Sequence, residues 1–190
     1  MYQVVCQDGN CHILRDGAFL QTPGGKPVCT PSEPLARRLA AQLEKYGESP
    51  DELRSLALFH YPWLDFTAHF RQASATAQAL AQLKPGEDWT LRCPYPEQEQ
   101  RKRWERLWGE PQRRMVEGKD WILTLRPSQL CAALTLARIL DSMNVAYLAT
   151  QPGGKREARQ LLRNVQLYRP EWGKRPLEEL LDNFLFYWQN

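Results

Sequence analysis

The sequence has little of what catalytic, metal-binding and membrane proteins usually need. Its 190 residues include three histidines, and neither an HExxH nor a CxxC pattern occurs. Both patterns are common at metal and redox sites. No serine stands in a GxSxG context, and no apolar run approaches the ~18 residues of a membrane span. We therefore expect no catalytic residue, no metal, no organic cofactor and no membrane insertion.

Two PGGK segments, 23–26 and 152–155, lack the pattern of a phosphate-binding loop. Such a loop needs a glycine five residues before its last glycine, and a serine or threonine after its lysine. Leu20 and Ala149 stand at the glycine position, and proline or arginine follows the lysine. Both segments are predicted to be turns.

Charge and cysteine content exclude two further classes. The net charge is +3, from 25 basic and 22 acidic residues, which is too balanced to indicate nucleic-acid binding. The odd number of scattered cysteines, five, argues against a disulfide framework. Cys6 and Cys11 flank a predicted turn and could face each other. The N-terminal residues show no signal peptide, so we expect a cytoplasmic protein in which both are free thiols.

The pattern of residues 2–29 predicts four short strands. YQVVC, CHILR, AFLQT and PVC favour strands, and QDGN, DG and PGGK favour the turns between them. We predict an antiparallel meander. Because a sheet this small cannot stand alone, helices must cover one of its faces.

The segment after these strands predicts a capped amphipathic helix. Thr30 suits the N-cap, Pro31 the first helical position, and Glu33 the reciprocal position of a capping box. Apolar residues then recur at helical spacing, and Gly47 ends the helix. Ser49, with a glutamate three residues later, predicts a second capping box.

The remaining chain is predicted to be mostly helical, with Pro62 breaking or kinking the first helix of this part. Helices are expected over 63–83, 97–118, 127–150, 155–168 and 176–189, and extended or irregular segments over 89–96 and 120–125. Strands come first and helices follow, which indicates an α+β protein. We predict a small N-terminal antiparallel β domain with one helix, residues 1–48, and a larger all-helical domain, residues 49–190.

Several of these segments resemble the assembly chaperones of the F-type ATP synthase head. The first, DGAFLQTPGGKPVCTPSEPLARRLAAQLEKYGE, resembles the N-terminal region of that family. Weaker likenesses follow in LRSLALFHYPWLDF, WTLRCPYPEQEQRKRWERLW and LYRPEWG. The matched positions are Asp16, Gly17, Thr22, Pro23, Pro31, Ser32, Leu35, Ala36, Gly47, Leu56, Asp65, Cys93, Tyr95, Gln100, Trp104, Tyr168, Trp172 and Gly173. Where the family carries acidic residues before its late Trp-Gly motif, this chain has Asn164, Val165 and Gln166.

The resemblance implies a non-enzymatic chaperone that holds the free α subunit until the β subunit displaces it. The alternative is a protein-interaction or regulatory module of the same architecture with another protein partner. Aromatic residues at the C-terminus, in FLFYWQN, cover every side of a helix end and are either core or partner-binding surface. We predict that the client surface includes Tyr187 and Trp188, together with Glu171 and Trp172.

Overall fold

The computed structural model describes two compact units, which together confirm the α+β class. Described residues are 1–67, 70–83, 97–103, 105–106, 118–168 and 172–190. Unit 1 consists of Met1–Phe70 and Glu179–Asn190, and unit 2 of Arg71–Glu178. Unit 1 contains all of the predicted N-terminal domain, 1–48, but also segments that the sequence assigned to the helical domain. The predicted boundary after residue 48 stays a prediction.

Unit 1 begins with the predicted antiparallel sheet. Its strands are β1 (Tyr2–Gln7), β2 (Asn10–Arg15), β3 (Ala18–Phe19) and β4 (Cys29–Thr30). Asp8 and Gly9 join β1 to β2 with positive φ angles of 51° and 79°, as a tight hairpin turn requires.

The meander prediction is wrong for the fourth strand. β4 pairs with β2, through Cys11 with Thr30 and His12 with Cys29. β3 pairs with the other end of β2, at Leu14 and Arg15. The long strand β2 thus accepts two short strands one after the other, because each covers only two of its residues.

The hairpin also joins two cysteines that we expected to be free. Cys6 and Cys11 are register partners on β1 and β2 and form a disulfide, with their Cα atoms 3.9 Å apart. Register decides this pairing, because directly opposite residues place their side chains on the same face of the sheet. Among the described cysteines, Cys29 and Cys131 are free.

Helix α1 (Glu33–Tyr46) begins two residues later than predicted, and Ser32 is its N-cap. The Ser32 hydroxyl oxygen accepts a hydrogen bond from the Leu35 amide, 3.3 Å away. Thr30 lies in β4 and accepts a hydrogen bond from the Ser32 amide, so it supports the cap rather than forming it. The predicted apolar stripe is confirmed and buried, and Gly47 ends the helix. Buried stripe residues are Leu35, Ala36, Leu39, Ala40 and Leu43.

The second capping box does not start a helix. The Glu52 amide donates to the Ser49 carbonyl in a turn, and the Glu52 carboxylate binds Arg54 instead of closing a box. Helix α2 begins later and spans Ala57–Phe66, with Pro62 inside it. Of the break or kink predicted at Pro62, the break is therefore wrong, and the kink stays a prediction. The five residues before Pro62 are all buried, and this packing outweighs the one backbone hydrogen bond that proline removes.

Unit 2 is helical throughout its described elements. They are α3 (Gln72–Gln82), α4 (Gly118–Thr124), α5 (Pro127–Leu140), α6 (Asn144–Thr150) and α7 (Gly154–Tyr168). Residues 98–103 are helical as well. Helix α8 (Leu177–Gln189) starts at the end of unit 2 and continues into unit 1.

Three predictions about these helices need correction. The segment 120–125, expected to be extended, lies mostly in α4. The helix expected over 127–150 is divided in two, because Asp141 adopts a left-handed backbone with φ 52° and ends α5. The helix expected over 63–83 is also divided, since α2 ends at Phe66 and α3 begins at Gln72. The prediction for 89–96 lies outside the described residues.

Candidate functional site

The C-terminal half of α8 packs against α2 through its aromatic residues. Phe184 is fully buried, and its ring centroid lies 5.8 Å from that of Phe59. Tyr187 is also buried, with its ring 6.0 Å from Phe59 and 5.9 Å from His60. Two of the five apolar residues at this helix end therefore belong to the core of unit 1.

The other aromatic residues of this helix end are half-buried. The Trp188 ring packs on Phe184 at 5.4 Å. The Phe186 ring lies under the Arg38 guanidinium, 4.3 Å from the ring centroid, in a cation–π arrangement. Trp188 and Phe186 thus present part of their surface to solvent while the rest is packed.

A polar contact fixes α8 against α1. Asn183 is 2% exposed, and its side-chain oxygen accepts from Gln42 at 2.8 Å and from Arg38 at 3.2 Å. The Gln42 side chain in turn accepts from the Leu56 amide at 2.8 Å, just before α2. Since a buried amide needs hydrogen-bond partners, this network stabilises one arrangement of three segments.

The remaining predicted partner-binding residues lie elsewhere. Trp172 belongs to unit 2, where it is 7% exposed and the Arg175 guanidinium lies 5.0 Å from its ring. Glu171 lies outside the described residues. Burial of Tyr187 and Trp172 means that truncating either would remove packing inside its own unit. The partner-binding role of the four residues stays a prediction.

His60 is a structural histidine rather than a proton carrier. It is 3% exposed, and its Nε2 lies 3.0 Å from the Cys29 carbonyl oxygen of β4. Burial lowers the pKa of His60 to about 4, and the hydrogen bond to Cys29 opposes this only in part. The neutral ring donates to the carbonyl and so ties α2 to the sheet.

A junction that the sequence reading did not find joins the first PGGK turn to α2. The Asp65 carboxylate accepts hydrogen bonds from the Thr22 hydroxyl and from the Gly24 amide, the latter at 3.1 Å. The Thr22 hydroxyl oxygen also accepts from the Lys26 amide at 3.0 Å. The sequence offered one signal for this contact, because Thr22 and Asp65 are both among the positions that match the chaperone family.

An exposed apolar side chain of unit 1 follows directly on this junction. Phe66 is 60% exposed at the end of α2. Trp63, half-buried, meets Phe70 edge-on with ring centroids 5.9 Å apart. Aromatic groups of this kind at a surface are frequent anchors of protein partners.

Among the residues that the structure describes, no group of three His, Cys, Asp or Glu side chains is placed to hold a metal ion. In the same part of the chain, no helix combines the length and apolar character needed to cross a membrane.

Comparison with known proteins gives a similar fold and no family. No protein-family model matches the chain, and no curated protein matches it. Among solved structures, it is similar to the Atu1473 protein of Agrobacterium tumefaciens, which is described as a candidate chaperone. The two are 19% identical, with a TM-score of 0.59, and the match covers 99% of this chain and 83% of the other. At this identity the likeness establishes a shared α+β fold.

Proposed function

We propose that this protein is a non-enzymatic assembly chaperone of the cytoplasm. Its proposed client is the free α subunit of the F-type ATP synthase head, which it holds until the β subunit takes its place. The observation that carries the proposal is the fold likeness to a candidate chaperone over 99% of the chain. The choice of client rests on the sequence resemblance alone.

The junction at Asp65 supports that resemblance. Thr22 and Asp65 are 43 residues apart and lie in segments that were matched separately, yet they are hydrogen-bonded. Positions that matched the family by chance would not be expected to contact each other in the folded chain. The segment around residues 22–48 is accordingly a scaffold that joins sheet, first helix and α2, which explains its clear turn and cap signals without any catalytic group.

The exposed and half-exposed aromatic residues are the parts of unit 1 best suited to a client. A holding chaperone must cover an apolar subunit interface that would otherwise aggregate. Phe66 and Trp188 offer such surface. Of the residues that we predicted to bind the client, Trp188 is the one with ring surface available without unfolding.

Co-purification tests the client. The tagged protein, expressed in its own host, is purified at low salt, and bound proteins are identified by mass spectrometry. We expect the α subunit without the β subunit, and added β subunit should release it. Phe66→Ser should reduce the yield of α subunit, whereas Leu123→Ser, which alters an equally exposed apolar residue of unit 2, serves as the matched control.

A different result would redirect the proposal. A single other protein, recovered reproducibly and lost in Phe66→Ser, would favour the alternative of an interaction module with another partner. Recovery of α together with β in the stoichiometry of the mature enzyme would contradict a chaperone of the free subunit.

A further inference from the structure

The nearly neutral total charge conceals a strong asymmetry between the units. Residues 71–178, which form unit 2, contain 19 basic and 12 acidic residues, a net charge of +7. Unit 1 contains 6 basic and 10 acidic residues, a net charge of −4. Charge separation on this scale steers partners of opposite charge to one part of a protein.

Helix α7 concentrates part of this positive charge on one side. Lys155, Arg159 and Arg163 follow each other at intervals of four residues, and Arg156 is seven residues from Arg163. At 3.6 residues per turn these four side chains fall within an arc of about 100° and extend over roughly 12 Å. The buried residues Ala158, Leu161 and Leu162 lie outside this arc.

The chain after α7 continues this charged side. The Gln166 side chain donates to the Arg175 carbonyl at 3.5 Å, and Arg163 pairs with Glu178 at 3.2 Å. These contacts hold residues 172–178 beside the C-terminal turns of α7. Lys174 and Arg175 are exposed there, and the Arg175 guanidinium covers the Trp172 ring.

We propose that a basic surface of unit 2 forms a docking site for an acidic segment of a protein partner. The basic surface consists of Lys155, Arg156, Arg159, Arg163, Lys174 and Arg175. The choice of a protein partner rests on the proposed function. The charges in this part of unit 2 also favour a protein partner over nucleic acid. Glu178 pairs with Arg163 within the basic surface. A continuous phosphate backbone would meet this carboxylate, whereas a peptide can place its few acidic side chains around it.

Binding of a defined probe tests the basic surface. The full-length protein is titrated into a short labelled peptide of alternating glutamate and serine, with a glutamine–serine peptide and a short oligothymidylate as comparisons. The double variant Arg156→Gln/Lys174→Gln should bind the acidic peptide roughly fivefold more weakly at low salt, since exposed charge pairs contribute little each. Salt should weaken binding by the unchanged protein.

The matched control removes the same charge from unit 1. Lys26→Gln/Lys45→Gln has the same net charge as the first double variant, and both lysines are exposed. We expect it to bind the acidic peptide like the unchanged protein. Equal losses in both double variants would reduce the effect to net charge and overturn the proposal. Tighter binding of oligothymidylate than of the acidic peptide, or no binding of the peptide, would overturn it too.

The co-purification experiment and the peptide titration test the two proposals separately. Failure to recover the α subunit while the peptide result holds would remove the client and leave the basic surface in place. Recovery of the α subunit together with an unchanged peptide affinity in the Arg156→Gln/Lys174→Gln variant would support the client and contradict the basic surface.

Discussion

Thr22 donates its hydroxyl hydrogen to the Asp65 carboxylate across 43 positions of sequence. The same carboxylate accepts from the Gly24 amide, and Gly24 leaves room for it because a Cβ there would lie 2.5 Å from Asp65 Oδ1. One side chain at the end of α2 thus determines where the first PGGK turn lies.

The contact between Asp65 and Gly24 predicts that substitutions at these two positions have non-additive effects on the free energy of unfolding. Asp65→Ala should lower the free energy of unfolding by about 1–3 kcal/mol, as expected when hydrogen bonds to a charged group are lost. Gly24→Ala should cost a similar amount in the natural chain but little in the Asp65→Ala background, because its new methyl group then meets no carboxylate. Urea unfolding of all four proteins measures the coupling. Strictly additive losses would contradict the junction.

The N-cap of α1 supplies a second prediction. Ser32→Ala should lower the free energy of unfolding by about 1 kcal/mol, the usual loss for a capping side chain. Ser74→Ala, an exposed serine inside α3, removes the same hydroxyl group without a cap and should leave the urea midpoint nearly unchanged. If the two variants are equally stable, Ser32 does not cap α1.

The aromatic end of α8 predicts different outcomes for adjacent residues. Tyr187→Ala should cost about 3–5 kcal/mol, because the buried ring packs on Phe59 and His60. Trp188→Ala should cost less, since part of its ring is already solvated, and it should weaken capture of the α subunit. Thermal unfolding and co-purification are measured on both. A Trp188→Ala protein that captures normally would exclude Trp188 from the client surface.

His60 predicts a loss of stability in mild acid. Its pKa falls from 6.5 to about 4 on folding because burial disfavours the charged ring. The unfolded chain therefore binds a proton first, so the stabilisation is complete above about pH 6.5 and decreases as the pH falls towards 4. The loss should be on the order of 3 kcal/mol. Urea midpoints between pH 7 and pH 4 measure it.

A variant isolates the contribution of His60. His60→Gln keeps a hydrogen-bond donor but does not titrate, so its urea midpoint should fall less over the same pH range. His12→Gln retains His60 and should keep that part of the acid sensitivity. A slope in His60→Gln as steep as in the natural chain would assign the acid sensitivity to other groups.

The hairpin disulfide gives a prediction about thiols. When the unfolded, unreduced protein is alkylated, Cys6 and Cys11 should remain unmodified, while Cys29 and Cys131 react. Cys6→Ser should lower the free energy of unfolding by about 2 kcal/mol, as chain entropy predicts for so short a loop. Cys29→Ser is the control without a disulfide. Alkylation of Cys6 in the unreduced protein would contradict the pairing.

Local signals predicted most elements correctly. The Asp-Gly turns, the strand residues between them and the leucine stripe of α1 determine structure over a few residues, and each was found where expected. The long helices α7 and α8 were also predicted, because apolar residues recur there over three or more turns.

Errors arose where two local signals competed. Thr30 and Ser32 are both good caps, and only the pairing of Thr30 with Cys11 in the sheet leaves Ser32 to cap the helix. Pro62 is a helix breaker by itself, yet the buried residues before it keep α2 continuous. In each case a contact distant in sequence decided between alternatives of similar local energy.

The sequence by itself determined the α+β class, the hairpin and the amphipathic helices, since these follow from turn residues and periodicity within one segment. Only the tertiary structure decided that Cys6 faces Cys11, that Asp65 holds the turn at Thr22, and that Tyr187 is core while Trp188 keeps exposed surface. Register, long-range hydrogen bonds and burial depend on which segments meet, and a linear pattern contains that information only weakly.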